Sequence, residues 1–157
     1  MSEARILLVE DDEILRELIG RNLSIRHHEV SFAVDAESAL RHLRSTAFDL
    51  IILDINLPDL SGWEVLRIAG REGCLMPQYM TELANPGKYL SVVVVSAVRV
   101  TPRRLNEFRP LAYLPKPFPM DALLRLAVEA AARRVATSQS TVNQDRIASL
   151  DQKGEIG

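Results

Sequence analysis

The chain has 157 residues, of which 47% are apolar and 25% charged, so it is long enough for one domain with at most a small appendage. A chain of this size buries roughly 70% of its unfolded surface, so its core needs neither disulfides nor a structural metal. The net charge of −2 argues against a broadly basic nucleic-acid protein, and the single cysteine, Cys74, excludes an intramolecular disulfide or a Cys-rich zinc site.

Met1-Ser2-Glu3 carries no basic region followed by a long apolar stretch, so no secretory signal is expected and the default location is cytoplasmic. Four short apolar runs follow along the chain: Ile6–Val9, Leu50–Leu53, Val92–Val95 and Leu111–Leu114. They are too short for helices, far too short to enter a membrane, and rich in branched residues. Such runs suit strands buried on both faces of a parallel sheet. The segment Val30–Val34 alternates more and suits a strand nearer the sheet edge.

Helical spacing separates the runs. Ile14, Leu15, Leu18 and Ile19 share one predicted face, and Ala36, Ala39, Leu40 and Leu43 another. Gly62, Val65, Leu66 and Ala69 repeat the spacing, and Leu124, Val128, Ala131 and Val135 mark a last helix. Asp35 stands where an N-cap belongs, Ser61 with Glu64 forms a capping-box pattern, and Thr101-Pro102 places a cap before a proline at the first helical position. Five strands alternating with five helices predict an α/β, doubly wound parallel sheet with helices on both faces.

Two stretches exceed this pattern. Residues 71–90 read as an insertion between the third helix and the fourth strand, punctuated by Pro77 and Asn85-Pro86-Gly87. Cys74, Met76, Tyr79 and Met80 within it read as pins of a long connection to the body, with a partner-binding patch as the alternative. Residues 137–157 are polar and read as a frayed tail, with one helical turn at most around Ile147 and Leu150. His27-His28 and His42 have no partner motif and read as surface residues. Arg103-Arg104 and Arg133-Arg134 read as solvated helix faces.

Parallel sheets present functional groups at the carboxyl ends of their strands. After the first apolar run come Glu10, Asp11 and Asp12; after the third, Asp54; after the fourth, Ser96; after the fifth, Pro115 and Lys116. Crowded carboxylates without histidine or thiolate suit a hard cation such as Mg²⁺. A cation and Lys116 would neutralise phosphoryl oxygens while one carboxylate attacks phosphorus, and Ser96 could hydrogen-bond another oxygen.

Four segments carry a resemblance. They are Ile6-Leu7-Leu8-Val9-Glu10-Asp11-Asp12-Glu13, Asp54-Ile55-Asn56-Leu57-Pro58-Asp59-Leu60-Ser61-Gly62, Ser96-Ala97 and Tyr113-Leu114-Pro115-Lys116-Pro117-Phe118. Together they resemble the receiver domain of bacterial two-component response regulators, over about residues 4–136 of the chain. The resemblance implies a flavodoxin-like strand order 2-1-3-4-5. It implies that Asp54 accepts a phosphoryl group from a sensor histidine kinase or a phosphotransfer protein. Asp11, Asp54 and the backbone carbonyl of Asn56 would hold Mg²⁺, with Glu10 acting through water. Asp12 would cap the first helix. Lys116 would pair with the phosphorylated Asp54, and Ser96 and Tyr113 would form the switch that acts on a downstream protein target.

The resemblance also has departures. The span from Asp54 to Ser96 is about a dozen residues longer than usual in the family, and Val98–Pro110 predicts a brief or reoriented fourth helix. The expected organisation is a receiver over residues 1–136 and a polar tail over 137–157, too short for a DNA-binding or enzymatic output domain. The expected activity is that of a phosphoacceptor rather than a turnover enzyme, with no nucleic-acid partner, no membrane insertion, and a homodimer left open. One alternative is a phosphatase or phosphotransferase of the haloacid dehalogenase type, which would want a second acid where Asn56 stands. Another is a receiver-like scaffold that takes no phosphate.

Overall fold

The computed structural model describes residues 3–75 and 90–133. In chain order the elements are β1 (Arg5–Val9), α1 (Glu13–Ile25), β2 (Glu29–Ala33), α2 (Ala36–Ser45), β3 (Leu50–Asp54), α3 (Gly62–Arg71), β4 (Leu90–Ser96), α4 (Pro102–Phe108) and β5 (Pro110–Pro115), followed by α5 over residues 120–133. The strands form one parallel sheet in the order β2-β1-β3-β4-β5. Every residue of β3 and β4 is buried, whereas β2 and β5, at the two edges, are largely half-buried or exposed. Burial on both faces is why the central strands read as continuous apolar runs and β2 as an alternating one.

Strand periodicity divides the core in two. Leu7, Val9, Ile51, Leu53, Val92 and Val94 pack with α2 and α3 on one face. Ile6, Leu8, Leu50, Ile52, Val93 and Val95 pack with α1 and α5 on the other. The predicted stripes of α2 and α3 are buried throughout. Those of α1 and α5 are corrected. In α1, Ile14 and Leu18 are exposed and the buried residues are Ile19, Gly20 and Leu23. Gly20 is the reason: a Cβ there would lie 2.6 Å from the Phe32 ring, so the helix turns its bare backbone toward β2 and rotates the Ile14 edge outward. In α5, Val128 is exposed, and the stripe follows Leu123, Leu124, Ala127, Ala130 and Ala131. Small alanines let the helix backbone approach the sheet closely. Val135 lies outside the described residues.

The caps follow the sequence closely. Asp12 accepts the Leu15 N–H at 3.1 Å, and Asp35 forms a reciprocal capping box with Ser38. Ser61 caps α3 through the Glu64 N–H at 3.3 Å, but the Glu64 carboxylate pairs forward with Arg67. Thr101 caps α4, with Pro102 in its first turn. That helix spans seven residues and buries none of them, in line with the short fourth helix expected. It ends on Arg109 in the left-handed region at φ 48°, a position more often held by glycine.

Two histidine and arginine readings change. His28 is buried, because His27 at φ 67° turns the chain inward after α1, and the His28 Nδ1 accepts the Ala4 N–H at 3.1 Å. His42 is half-buried, its Nε2 3.0 Å from the Phe32 carbonyl oxygen. Arg103 is exposed as expected, but Arg104 and Arg133 are half-buried. Cys74 is half-buried after a turn at Gly73, and Leu75 packs into the core. Met76, Pro77, Tyr79, Met80, Asn85-Pro86-Gly87, Arg134 and the 137–157 tail lie outside the described residues.

Candidate functional site

Because all five strands run parallel, the residues that end β1, β3, β4 and β5 emerge at one edge. The ladder continues past the strand ends and fixes their directions. Glu10 N–H donates to the Ala33 carbonyl at 3.0 Å, Ile55 N–H to Val95 at 3.2 Å and Lys116 N–H to Ser96 at 2.8 Å. Glu10, Asp54 and Ser96 are each at most 3% exposed there.

Glu10, Asp11 and Asp54 each offer a carboxylate oxygen, and the three oxygens lie within 4.8 Å of one another. The Lys116 ammonium sits 2.9 Å from Glu10 Oε2 and 3.2 Å from Asp54 Oδ2. Burial raises the Glu10 pKa to about 7; the Lys116 hydrogen bond opposes that rise and the Asp54 charge adds to it. Burial would lower the Lys116 pKa, but the Glu10 hydrogen bond and charge, followed by the Asp54 charge, raise it above its ordinary value. One cation therefore serves two buried carboxylates, with Asp11 exposed beside them. An all-oxygen, anionic set of this kind could hold a hard divalent cation.

The acidic loop is braced from behind. Arg16 of α1 donates to the carbonyls of Glu10 at 3.0 Å and Asp11 at 3.4 Å. Asp12 N–H donates to Glu10 Oε1 at 3.2 Å.

The loop after Asp54 is equally constrained. Asn56 is exposed, and its N–H donates to Asp54 Oδ1 at 3.0 Å. Gly62 N–H donates to the Ile55 carbonyl at 2.9 Å, bringing the start of α3 against the loop after Asp54. A Cβ on Gly62 would stand 2.7 Å from the Asp54 carbonyl oxygen, which explains the glycine that ends the Asp54–Gly62 motif. Asp59 accepts the Ala36 and Glu37 N–H groups at 2.8 and 3.0 Å, tying this loop to the N-terminus of α2. Those hydrogen bonds, chiefly that from Ala36, lower the Asp59 pKa.

Ser96 and Tyr113 meet on one residue. Ser96 Oγ accepts the Val98 N–H at 3.0 Å, and Tyr113 Oη donates to the Val98 carbonyl at 3.4 Å. The edge thus brings Glu10, Asp11, Asp54 and Lys116 together, with the Asn56 N–H on Asp54 and the Lys116 N–H on the Ser96 carbonyl, whereas Tyr113 lies within β5 and reaches Val98. Sequence reasoning missed Arg16 and Asp59 as braces. Asp59 had no readable signal, since its partners lie 22 and 23 residues away in the chain.

A 2-1-3-4-5 parallel sheet with carboxylates and a lysine converging on its carboxyl edge defines a flavodoxin-like domain with an acidic strand-end site. Residues 6–128 match the model of the response regulator receiver domain, and the chain belongs to that family, the receivers of two-component signalling. It is 33% identical to the response regulator protein FleR of Pseudomonas aeruginosa over 138 residues, 87% of this chain and 26% of that protein. It is 34% identical to the response regulator MprA of Mycolicibacterium vanbaalenii over 122 residues, 76% of this chain and 47% of that one. The chain therefore spans about a quarter to a half of these curated relatives. Among solved structures, a CheY-like receiver domain protein from Methanospirillum hungatei superposes with a TM-score of 0.68 at 25% identity, covering 87% of this chain and 99% of that one. The response regulator TrrA of Thermotoga maritima, in complex with Mg(2+)-BeF, superposes with a TM-score of 0.61 at 26% identity, covering 80% and 97%. Among the described residues no helix is long and apolar enough to cross a membrane.

Proposed function

We propose that Asp54 is the phosphoacceptor of this receiver and that its phosphorylation switches a protein-binding surface. The observation that carries this reading is the convergence of Glu10, Asp11 and Asp54 with Lys116 at one strand edge. An Asp54 oxygen attacks the phosphorus of a phosphohistidine on a sensor kinase or phosphotransfer protein. The phosphorus–nitrogen bond breaks, and its electron pair returns to the donor imidazole. Asp11, Asp54 and the Asn56 carbonyl would hold Mg²⁺, with Glu10 acting through water, and the ion would supply positive charge beside the transferred group. Lys116, already 3.2 Å from Asp54, pairs with the phosphoryl oxygens as they arrive.

The new charge and acceptor oxygens then compete for Ser96. Its hydroxyl turns from the Val98 N–H to the phosphoryl group, and Tyr113 leaves the Val98 carbonyl and turns inward. The protein is an acceptor that loses its phosphoryl group by hydrolysis, acts in the cytoplasm, and meets a downstream protein.

Intact mass after incubation with Mg²⁺ and a small phosphodonor tests this. Wild type should gain one phosphoryl group, Asp54→Asn should gain none, and EDTA should abolish labelling. Labelling of Asp54→Asn at the wild-type level would refute the assignment. Turnover of many phosphomonoesters would replace it with the phosphatase reading, and no adduct with any donor, a cognate kinase included, with the scaffold reading.

A further inference from the structure

Helix α4 is held mainly at its C-terminal end, where Phe108 packs against the core. It has seven residues, buries none of them, and follows an exposed stretch from Ala97 to Arg99. Such an element belongs to the low-stability end of a fold, where small energies decide position. At its C-terminal end it is clasped by α3. The Trp63 and Phe108 rings stack with centroids 5.2 Å apart and planes 22° apart. The Arg67 guanidinium lies 5.8 Å from the Phe108 centroid and pairs with both Glu64 and, at 3.2 Å, Glu107. Arg104 adds a second pair to Glu107 at 3.3 Å.

Both anchors of α4 lead back to the acceptor. Trp63 follows Gly62, whose backbone presses on the Asp54 carbonyl and bonds to Ile55. Before α4, the Val98 N–H is held by Ser96 and its carbonyl by Tyr113. The helix is thus strung between Ser96 at one end and the Trp63 ring at the other.

We propose that the Trp63–Phe108–Arg67 clasp is a latch that holds α4 in the arrangement belonging to the unmodified Asp54, and that occupation of Asp54 works against it. This rests on the reading of Asp54 as acceptor. The stack has a cation beside it, and drawing the 97–101 segment toward Asp54 pulls on the helix that carries Phe108 and so works against the contact. Coupling is reciprocal: whatever Asp54 occupation costs the latch, loss of the latch returns as affinity at Asp54.

Trp63 is the single tryptophan of the chain, so its fluorescence reports the latch directly. Titration with beryllofluoride and Mg²⁺ should change Trp63 emission in wild type and leave it unchanged in Asp54→Asn. Calorimetry, which does not depend on Trp63, should show beryllofluoride binding roughly two- to tenfold tighter to Phe108→Leu and Phe108→Ala than to wild type. Phe108→Leu keeps an apolar side chain and guards against an unfolded alanine variant. Unchanged emission in wild type, or unchanged or weaker affinity in both Phe108 variants, overturns the latch while leaving Asp54 as acceptor. No beryllofluoride binding to wild type, together with no phosphoryl adduct on it, overturns the acceptor reading and the latch together.

Discussion

Gly62→Ala adds one methyl group to the first residue of α3, where its effect can be worked from the structure. The new Cβ would stand 2.7 Å from the Asp54 carbonyl oxygen, 2.9 Å from Ile55 Cδ1 and 3.0 Å from Ile55 Cα. Ordinary contact begins at 3.4 Å, so the Asp54 carbonyl and the helix must part by about 3.4 − 2.7 = 0.7 Å. Two of the three obstacles are backbone, which cannot swing aside as a side chain would. Overpacking of this kind costs about 1–3 kcal/mol, while alanine in place of glycine returns up to about 1 kcal/mol in helix propensity. The net expectation is a loss of about 1–2 kcal/mol, read as a lower urea midpoint. Because the displaced backbone carries Asp54 itself, the rate of labelling by a small phosphodonor should fall by about an order of magnitude, since misplacement of 1 Å can cost a hundredfold. A Gly62→Ala protein with wild-type midpoint and wild-type labelling rate would refute the argument that this glycine exists to bring α3 against the acceptor loop.

Lys116→Met removes the cation shared by Glu10 and Asp54; labelling of Asp54 should drop about tenfold or more, while Mg²⁺, freed from a competing charge, binds tighter by titration. Glu10, raised to about 7, favours the metal-free fold at acid pH, a contribution complete below 4.5 and lost as pH rises through about 7. The upward shift of the melting temperature on adding Mg²⁺ should therefore be larger at about pH 8 than at about pH 6, and equal shifts would contradict it. His28 runs the other way. Burial, with Arg26 nearby, lowers its pKa below 6.5, so its contribution is present above 6.5 and lost as pH falls through the folded value. Between about pH 7 and about pH 5 Glu10 gains stability while His28 loses it, so the readout is the difference: on acidification the urea midpoint of His28→Asn should rise relative to wild type, since its amide oxygen can still accept the Ala4 N–H without titrating, and a constant difference would contradict the reading.

The sequence by itself determined the strands, the caps and the polar groups at the strand ends. Continuous apolar runs such as Val92–Val95 can be buried only on both faces of a sheet, and a parallel sheet sends the next residue of each strand to one edge. That reasoning found Glu10, Asp11, Asp54, Ser96 and Lys116, and the resemblance to receivers added Asn56 and Tyr113. Helix faces were legible where the apolar stripe was unambiguous, as in Ala36, Ala39, Leu40 and Leu43. They were not legible in α1, where a glycine rather than a large side chain made the contact. The stripe there is set by how closely the helix backbone approaches the Phe32 ring, a quantity absent from any pattern of hydropathy. His28 was hidden for a similar reason, since its burial depends on a left-handed turn at His27 and on an N–H of β1's preceding residue.

Tertiary structure alone decided which residues brace the site. Arg16 reaches the carbonyls of Glu10 and Asp11, Asp59 holds α2, and Trp63 stacks on a ring 45 positions farther along the chain. Local spacing carries the period of a helix or strand, but contacts between elements depend on how the packed sheet sets them side by side. For this chain the converging acids and lysine were written in the strand ends, and the contacts between α3 and α4 only in the packing.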